Sequence, residues 1–280
     1  MIVGICGAGT MGRGIAIASV VAGHNIVLFD VSEKALDSAR ANIISQLQKA
    51  VEKGKLDAAQ CEHALQQITT STSLDAMSAV DIVIEAIAEQ LEIKHTLFTA
   101  LESVCRTDTI LTSNTSSISI ASLARCLKDP SRFAGLHFFN PAHIMKLVEV
   151  VKGPRTSAVI IAACVEFAQG LGKTTVVAAD APGFIVNRIA RNYYNEAQRI
   201  VMEGAATITQ VDSLMRGLGF KMGPFELMDL IGVDVNLDVT KSQWEQFFHE
   251  PRFTPSLLQQ QYVDAGLFGK KSGDGFHTYE

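Results

Sequence analysis

The chain runs to 280 residues, 48% of them hydrophobic and 19% charged, with a mean hydropathy of +0.20, which argues against disorder and leaves room for a sizeable core and roughly two domains. A net charge of −5 and a pI near 5.8 speak against a nucleic-acid footprint, although a local basic patch stays open. The five cysteines, Cys6, Cys61, Cys105, Cys126 and Cys164, form no CxxC pair and point to buried thiols rather than disulfides or zinc, and neither a signal peptide nor an apolar run of the ~18 residues a span needs is present, so a soluble, cytoplasmic protein is expected.

The opening Ile2–Cys6 is a short apolar run closed by Gly7, after which a helical pattern runs from Met11 to Val21 and stops at Gly23. Residues 25–30 make the next strand, and Ser32 caps a long helix from about Glu33 to Lys53, ended by Gly54. Further strands are expected at 82–86, 110–112, 133–139, 147–151 and 174–177, several separated by helices such as 91–105 and 157–171. Strand alternating with helix predicts an α/β fold with a Rossmann-like, doubly wound and mostly parallel sheet. After Asp180-Ala-Pro-Gly183 the strand pattern stops and helices follow at 184–203, 208–216, 224–232, around 237–248 and 256–264. Residues 1–182 are therefore expected to bind nucleotide, and the all-helical residues 183–280 to serve substrate binding and self-association.

Gly7-Ala-Gly-Thr-Met-Gly12 matches G-x-G-x-x-G directly after a strand and at the opening of a helix. Gly7 permits the tight turn, Gly9 lets a pyrophosphate approach the backbone, and Gly12 lets helix and strand pack closely. Thr10 and Met11 then sit at a helix N-terminus whose unpaired N–H groups suit an anion. Asp30, about 20 residues on, can accept hydrogen bonds from a ribose and would repel a 2′-phosphate. With no arginine beside it, NAD is favoured over NADP. A glycine turn that binds nothing is the competing reading.

In Gly135-Leu-His-Phe-Phe and Leu147-Val-Glu-Val-Val, a histidine and a glutamate each stand inside an apolar run. An unpaired buried carboxylate costs several kcal/mol, so Glu149 needs a partner or water. Residues 140–146 are too few for a crossover helix, which makes the two strands antiparallel neighbours. If their loop centres on His143, cross-strand partners carry numbers summing to 286, and His137 faces Glu149 with Cβ atoms about 5 Å apart. Such a pair fixes the histidine tautomer and stabilises the imidazolium, as a base taking a proton from a hydroxyl requires, a contribution of roughly 10²–10⁴-fold in rate. A structural pair filling the sheet is the alternative, and the neighbouring cofactor site favours catalysis. His143, in the loop without an acidic partner, is expected to be solvated. The remaining histidines lack metal-ligand spacing, so no metal is expected.

GAGTMG, SNTSS (113–117), GLHFFNP (135–141), MKLVEVV (145–151), PGFIVNR (182–188), MGPFEL (222–227) and GKKSGDGF (269–276) together resemble the L-3-hydroxyacyl-CoA dehydrogenases, closely the bacterial 3-hydroxybutyryl-CoA dehydrogenases, in order along nearly the whole chain. The resemblance implies NAD-dependent interconversion of short-chain 3-hydroxyacyl-CoA and 3-ketoacyl-CoA in a homodimer and, with no hydratase segment ahead, a monofunctional enzyme; the charge and the lack of an apolar span separately lead to the expectation of no nucleic-acid or membrane partner. It assigns the catalytic pair to His137 and Glu149. It places Ser116 and Asn187 on the reacting oxygen and thioester, although Ser116 could instead cap a helix near Ser119 and Asn187 could be an ordinary polar face residue. By the same resemblance Glu89, Lys94, Asn140 and Lys271 contact the cofactor's ribose and nicotinamide end. Lys49 and Lys53, i,i+4 neighbours on the helix after the second strand, would pair with coenzyme A phosphates, while a solvated lysine face fits the same spacing. Ala142-His143-Ile144 replaces a Val-Pro-Val-like run, and Phe220-Lys221 replaces Tyr-Pro or His-Pro, which leaves chain-length preference open. A CoA-independent gulonate-type dehydrogenase and a non-catalytic NAD-binding protein are the rival readings.

Overall fold

Short β-branched runs alternate with helices to build one eight-stranded sheet in the computed structural model, which describes residues 1–279. In chain order these are β1 (Ile2–Cys6), α1 (Thr10–Val21), β2 (Asn25–Phe29), α2 (Glu33–Glu52), α3 (Ala58–Gln66), β3 (Ile68–Ser71), β4 (Ile82–Glu85) and α4 (Leu91–Val104). They continue with β5 (Ile110–Ser113), α5 (Ile120–Ala124), β6 (Phe133–Phe138), β7 (Leu147–Lys152), α6 (Ala158–Gly170) and β8 (Thr174–Ala179). The strand order is β3-β2-β1-β4-β5-β6-β7-β8, parallel from β3 through β6, with β7 reversed and β8 parallel to β7. This is the doubly wound, mostly parallel sheet that strand-helix alternation predicts.

Two compact units are present, Met1–Ala181 and a second from Pro182 onward. The first buries Ile5, Ile15, Leu28, Ile43, Ile84, Leu136 and Val150 in one apolar core. The second consists of α7 (Val186–Met202), α8 (Ile208–Gly217), α9 (Pro224–Ile231), α10 (Val233–Gln246) and α11 (Leu257–Asp264), around Tyr194, Phe225, Met228, Val233 and Phe276.

Some boundaries depart from the sequence reading for local reasons. The α7 helix begins at Val186 rather than Phe184, because Gly183 and Phe184 take left-handed φ values of 72° and 47° and cannot enter a right-handed helix. The α10 helix starts at Val233, earlier than the expected 237, directly after Gly232 turns the chain at φ 105°. The sequence reading also passed over α3 and β3. The α3 helix is opened by a reciprocal capping box between Asp57 and Gln60. The four-residue edge strand β3 lacks a buried alternation.

Candidate active site

The glycine turn follows β1, and each glycine answers to a different constraint. Gly7 has φ 108°, and a Cβ there would press on the Ala86 carbonyl; one at Gly12 would overlap the Gly7 carbonyl oxygen. At Gly9 a Cβ would meet nothing within 4 Å, so what its absence accommodates is not protein. Gly9 caps α1 without a side-chain bond to the orphan N–H groups of Thr10, Met11 and Gly12, and the first turn carries no acid, as an anion requires. Asp30, just past β2, accepts from Ala8 N at 2.8 Å and Ser32 N at 3.0 Å, which holds its carboxylate beside the turn. A cavity of about 800 Å³ opens there between Gly7, Gly9, Asp30 and Val31 and the apolar side chains of Ile93, Leu97 and Ala100. The cradle, the acid and the apolar slot fit the pyrophosphate, ribose and base of a dinucleotide. Ile93, Leu97 and Thr96 escaped the sequence reading, although α4 repeats its apolar residues at helical spacing and an unfilled slot takes no special motif.

Beyond that slot, the ends of β4 and β5 carry a buried ionic network. The Lys94 ammonium, 1% exposed, is hydrogen-bonded to Glu85 and lies 3.1 Å from Glu89 Oε2. Glu85 Oε1 also accepts from Ile87 N at 2.8 Å, and its Oε2 accepts from Ser113 Oγ at 2.5 Å. Glu89 Oε1 accepts from Thr115 Oγ1, from Ser116 N at 3.1 Å, and from Ser117 N and Oγ at 3.3 and 2.9 Å. Burial disfavours the Glu89 carboxylate, yet Lys94 and the hydroxyls of Thr115 and Ser117 outweigh it and hold its pKa below the usual range. The α5 cap is Ser119, whose hydroxyl accepts from Ser122 N, so the capping role considered for Ser116 falls to another residue.

The antiparallel register pairs His137 with Glu149, as the loop arithmetic required. The imidazole Nδ1 lies 2.7 Å from Glu149 Oε2, with side-chain exposures of 7% and 0%. A hydrogen bond from Nδ1 to an ionised Glu149, which only accepts, selects the tautomer with the proton on Nδ1. Asn114 Oδ1 accepts from Phe138 N at 2.9 Å and ties the serine turn to the strand bearing His137. Asn140 is exposed two residues beyond the end of β6.

Lys49 on the last turn of α2 and Lys53 at its C-cap are exposed and flank a second cavity of about 350 Å³, shared with Lys55, Lys173 and His143. Here one expectation is corrected: His143 is not solvated but half-buried, with Nδ1 enclosed and no hydrogen-bond partner, and burial together with Lys173 lowers its pKa. The cause is the loop itself, drawn inward where Lys173 Nζ donates to the carbonyls of Ala142 at 2.6 Å and Met145 at 2.9 Å. In the second unit Asn187 is half-buried in the first turn of α7, and Lys271 pairs with Asp234 at 2.6 Å while remaining 48% exposed. Among the described residues no group of three or more histidine, cysteine, aspartate or glutamate side chains could hold a metal, and no helix is long and apolar enough to cross a membrane.

Comparison with known proteins matches residues 2–181 to the family described as 3-hydroxyacyl-CoA dehydrogenase, NAD binding domain, and residues 183–279 to the 3-hydroxyacyl-CoA dehydrogenase C-terminal domain. A 3-hydroxyadipyl-CoA dehydrogenase of Escherichia coli K12 is 48% identical over 99% of this chain, which spans 58% of that relative's length. A probable 3-hydroxybutyryl-CoA dehydrogenase of Deinococcus radiodurans is 41% identical over 99% of both chains. The crystal structure of an (S)-3-hydroxybutyryl-CoA dehydrogenase from Ralstonia eutropha superposes with a TM-score of 0.97 at 40% identity, covering 100% of this chain and 99% of that one.

Proposed function

The chain belongs to the 3-hydroxyacyl-CoA dehydrogenase family, its first unit being the family's NAD-binding domain, and from that premise we propose that it interconverts (S)-3-hydroxyacyl-CoA and 3-ketoacyl-CoA of short chain length. The observation that carries this reading is the 2.7 Å His137–Glu149 pair, near the C-terminal end of a strand in the same sheet that presents the glycine turn. Gly7, Gly9, Gly12 and the N-terminus of α1 would hold the NAD pyrophosphate, with Asp30 on the adenosine ribose. NAD, when bound, supplies the acceptor for the hydride of C3.

The chain's own residues do the rest. His137 Nε2 takes the proton of the C3 hydroxyl during oxidation and returns it during reduction. Glu149 keeps the ring in the tautomer that can do so and stabilises it once charged. Ser116 and Asn187 orient the reacting oxygen and thioester, and Lys49 and Lys53 take phosphates of the coenzyme A moiety. A homodimer accords with the exposed apolar side chains of Leu214, Leu218, Phe220 and Leu230 in the helical unit. Five unpaired thiols, four of them buried, accord with a reducing cytoplasm.

A dicarboxylyl substrate is a second reading, raised by the name of the 48% identical 3-hydroxyadipyl-CoA relative, while an Escherichia coli structure of equal identity bears the 3-hydroxybutyryl-CoA name. NADH oxidation with acetoacetyl-CoA, 3-oxoadipyl-CoA and free oxidised sugar acids separates the readings. The CoA thioesters are expected to turn over and the free acids not. Turnover of the free acids alone would overturn the proposal, and a kcat/KM higher for 3-oxoadipyl-CoA would select the second reading.

A further inference from the structure

Glu85 is a second acid inside an apolar run, Ile82-Val-Ile-Glu-Ala, and it is fully buried. Such a carboxylate persists only if its oxygens are occupied, and both are: one by Lys94 and Ile87 N, the other by the Ser113 hydroxyl. We propose that Glu85 is a positioning residue that sets the cofactor side and the serine side of the site together, an inference that rests on the dehydrogenase reading above.

Two arms leave this carboxylate. Through Lys94 it fixes Glu89, which follows Ala88 of the slot wall in the chain and is paired at 3.1 Å with the same ammonium. Through Ser113 it fixes the turn bearing Ser116, since Ser113 Oγ in turn accepts from Thr115 N at 3.2 Å and Asn114 N donates to the Glu85 carbonyl at 2.8 Å. Asn114 then carries the constraint to Phe138 N, beside His137. The Lys94 charge holds together two carboxylates that would otherwise repel. A structural pair alone would not join the serine turn and Glu89 to one buried charge.

The test compares Glu85→Gln, Lys94→Met, their double variant and Ser113→Ala with the wild type, measuring kcat with acetoacetyl-CoA, NADH affinity by fluorescence and thermal unfolding. Glu85→Gln removes the charge that balances Lys94 and reverses the hydrogen bond with Ser113, and both readouts are expected to worsen roughly tenfold, the scale on which supporting residues act. In the Lys94→Met background the same change should add less than about threefold to the loss of affinity, because the two act as one unit. Ser113→Ala leaves the ion pair intact and is expected to lower kcat roughly tenfold with NADH affinity unchanged, and it carries the test should Glu85→Gln not fold. Wild-type kcat in either Glu85→Gln or Ser113→Ala, or fully multiplicative losses of affinity in the double variant, would overturn the assignment. Absence of turnover in the wild type itself would instead count against the dehydrogenase reading.

Discussion

Replacing Glu149 by glutamine removes one charge from the His137 pair while keeping its volume and an acceptor oxygen. The two groups meet at 2.7 Å with both side chains almost wholly buried, so solvent screens them little. Unit charges about 4 Å apart interact by ~4 kcal/mol at an effective dielectric near 20. Each ~1.4 kcal/mol is a tenfold change in rate, so complete loss of this stabilisation of the protonated ring would cost about 10³-fold. A glutamine carbonyl still accepts from Nδ1 and keeps the tautomer, which recovers part of that and leaves an expected fall in kcat of roughly 10²-fold. NADH affinity should stay within about twofold, because the glycine turn and Asp30 belong to other strands. Steady-state kinetics with acetoacetyl-CoA and a direct NADH titration measure both. A variant that keeps more than about a third of wild-type kcat, or loses NADH affinity as steeply as rate, would refute the role given to the carboxylate.

Asp30→Asn removes the charge that would repel a 2′-phosphate, and the ratio of NADPH to NADH utilisation should rise by about tenfold; an unchanged ratio would show that Asp30 does not discriminate. Lys49→Glu with Lys53→Glu should raise KM for acetoacetyl-CoA by about tenfold with KM for NADH unmoved, whereas a solvated lysine face would leave both unmoved. Because the Glu89 pKa is lowered in the folded state, the unfolded chain takes up the proton first. Its stabilisation is full above the ordinary value of 4.5 and is lost as pH falls through the lower folded value. Wild type should therefore unfold at a higher temperature than Glu89→Gln near neutral pH, with the gap closing below pH 4.5; a gap independent of pH would contradict this.

Much of the site was legible because its physics is local or periodic. The glycine turn needs only a strand, a helix and three missing side chains, and the His137–Glu149 pairing follows from a loop too short for anything but an antiparallel return. The Glu85–Lys94–Glu89 network was not read, although Glu85 in its apolar strand gives the same signal as Glu149 in its own. What was missing is a register rule. Glu85 meets Lys94 from a helix and Ser113 from a parallel strand, and no arithmetic on residue numbers fixes the register across a crossover. His143 failed for a related reason, since the residue that draws its loop inward, Lys173, lies thirty residues later at the start of another strand. The α3 helix, by comparison, was announced by Asp57 and Gln60 at capping-box spacing.

In the proposed mechanism His137 moves the hydroxyl proton, and His137→Gln tests that role most directly. With NADH binding measured alongside, kcat for acetoacetyl-CoA reduction is expected to fall at least ~10²-fold while the NADH dissociation constant stays within about twofold. Undiminished turnover in that variant would contradict it.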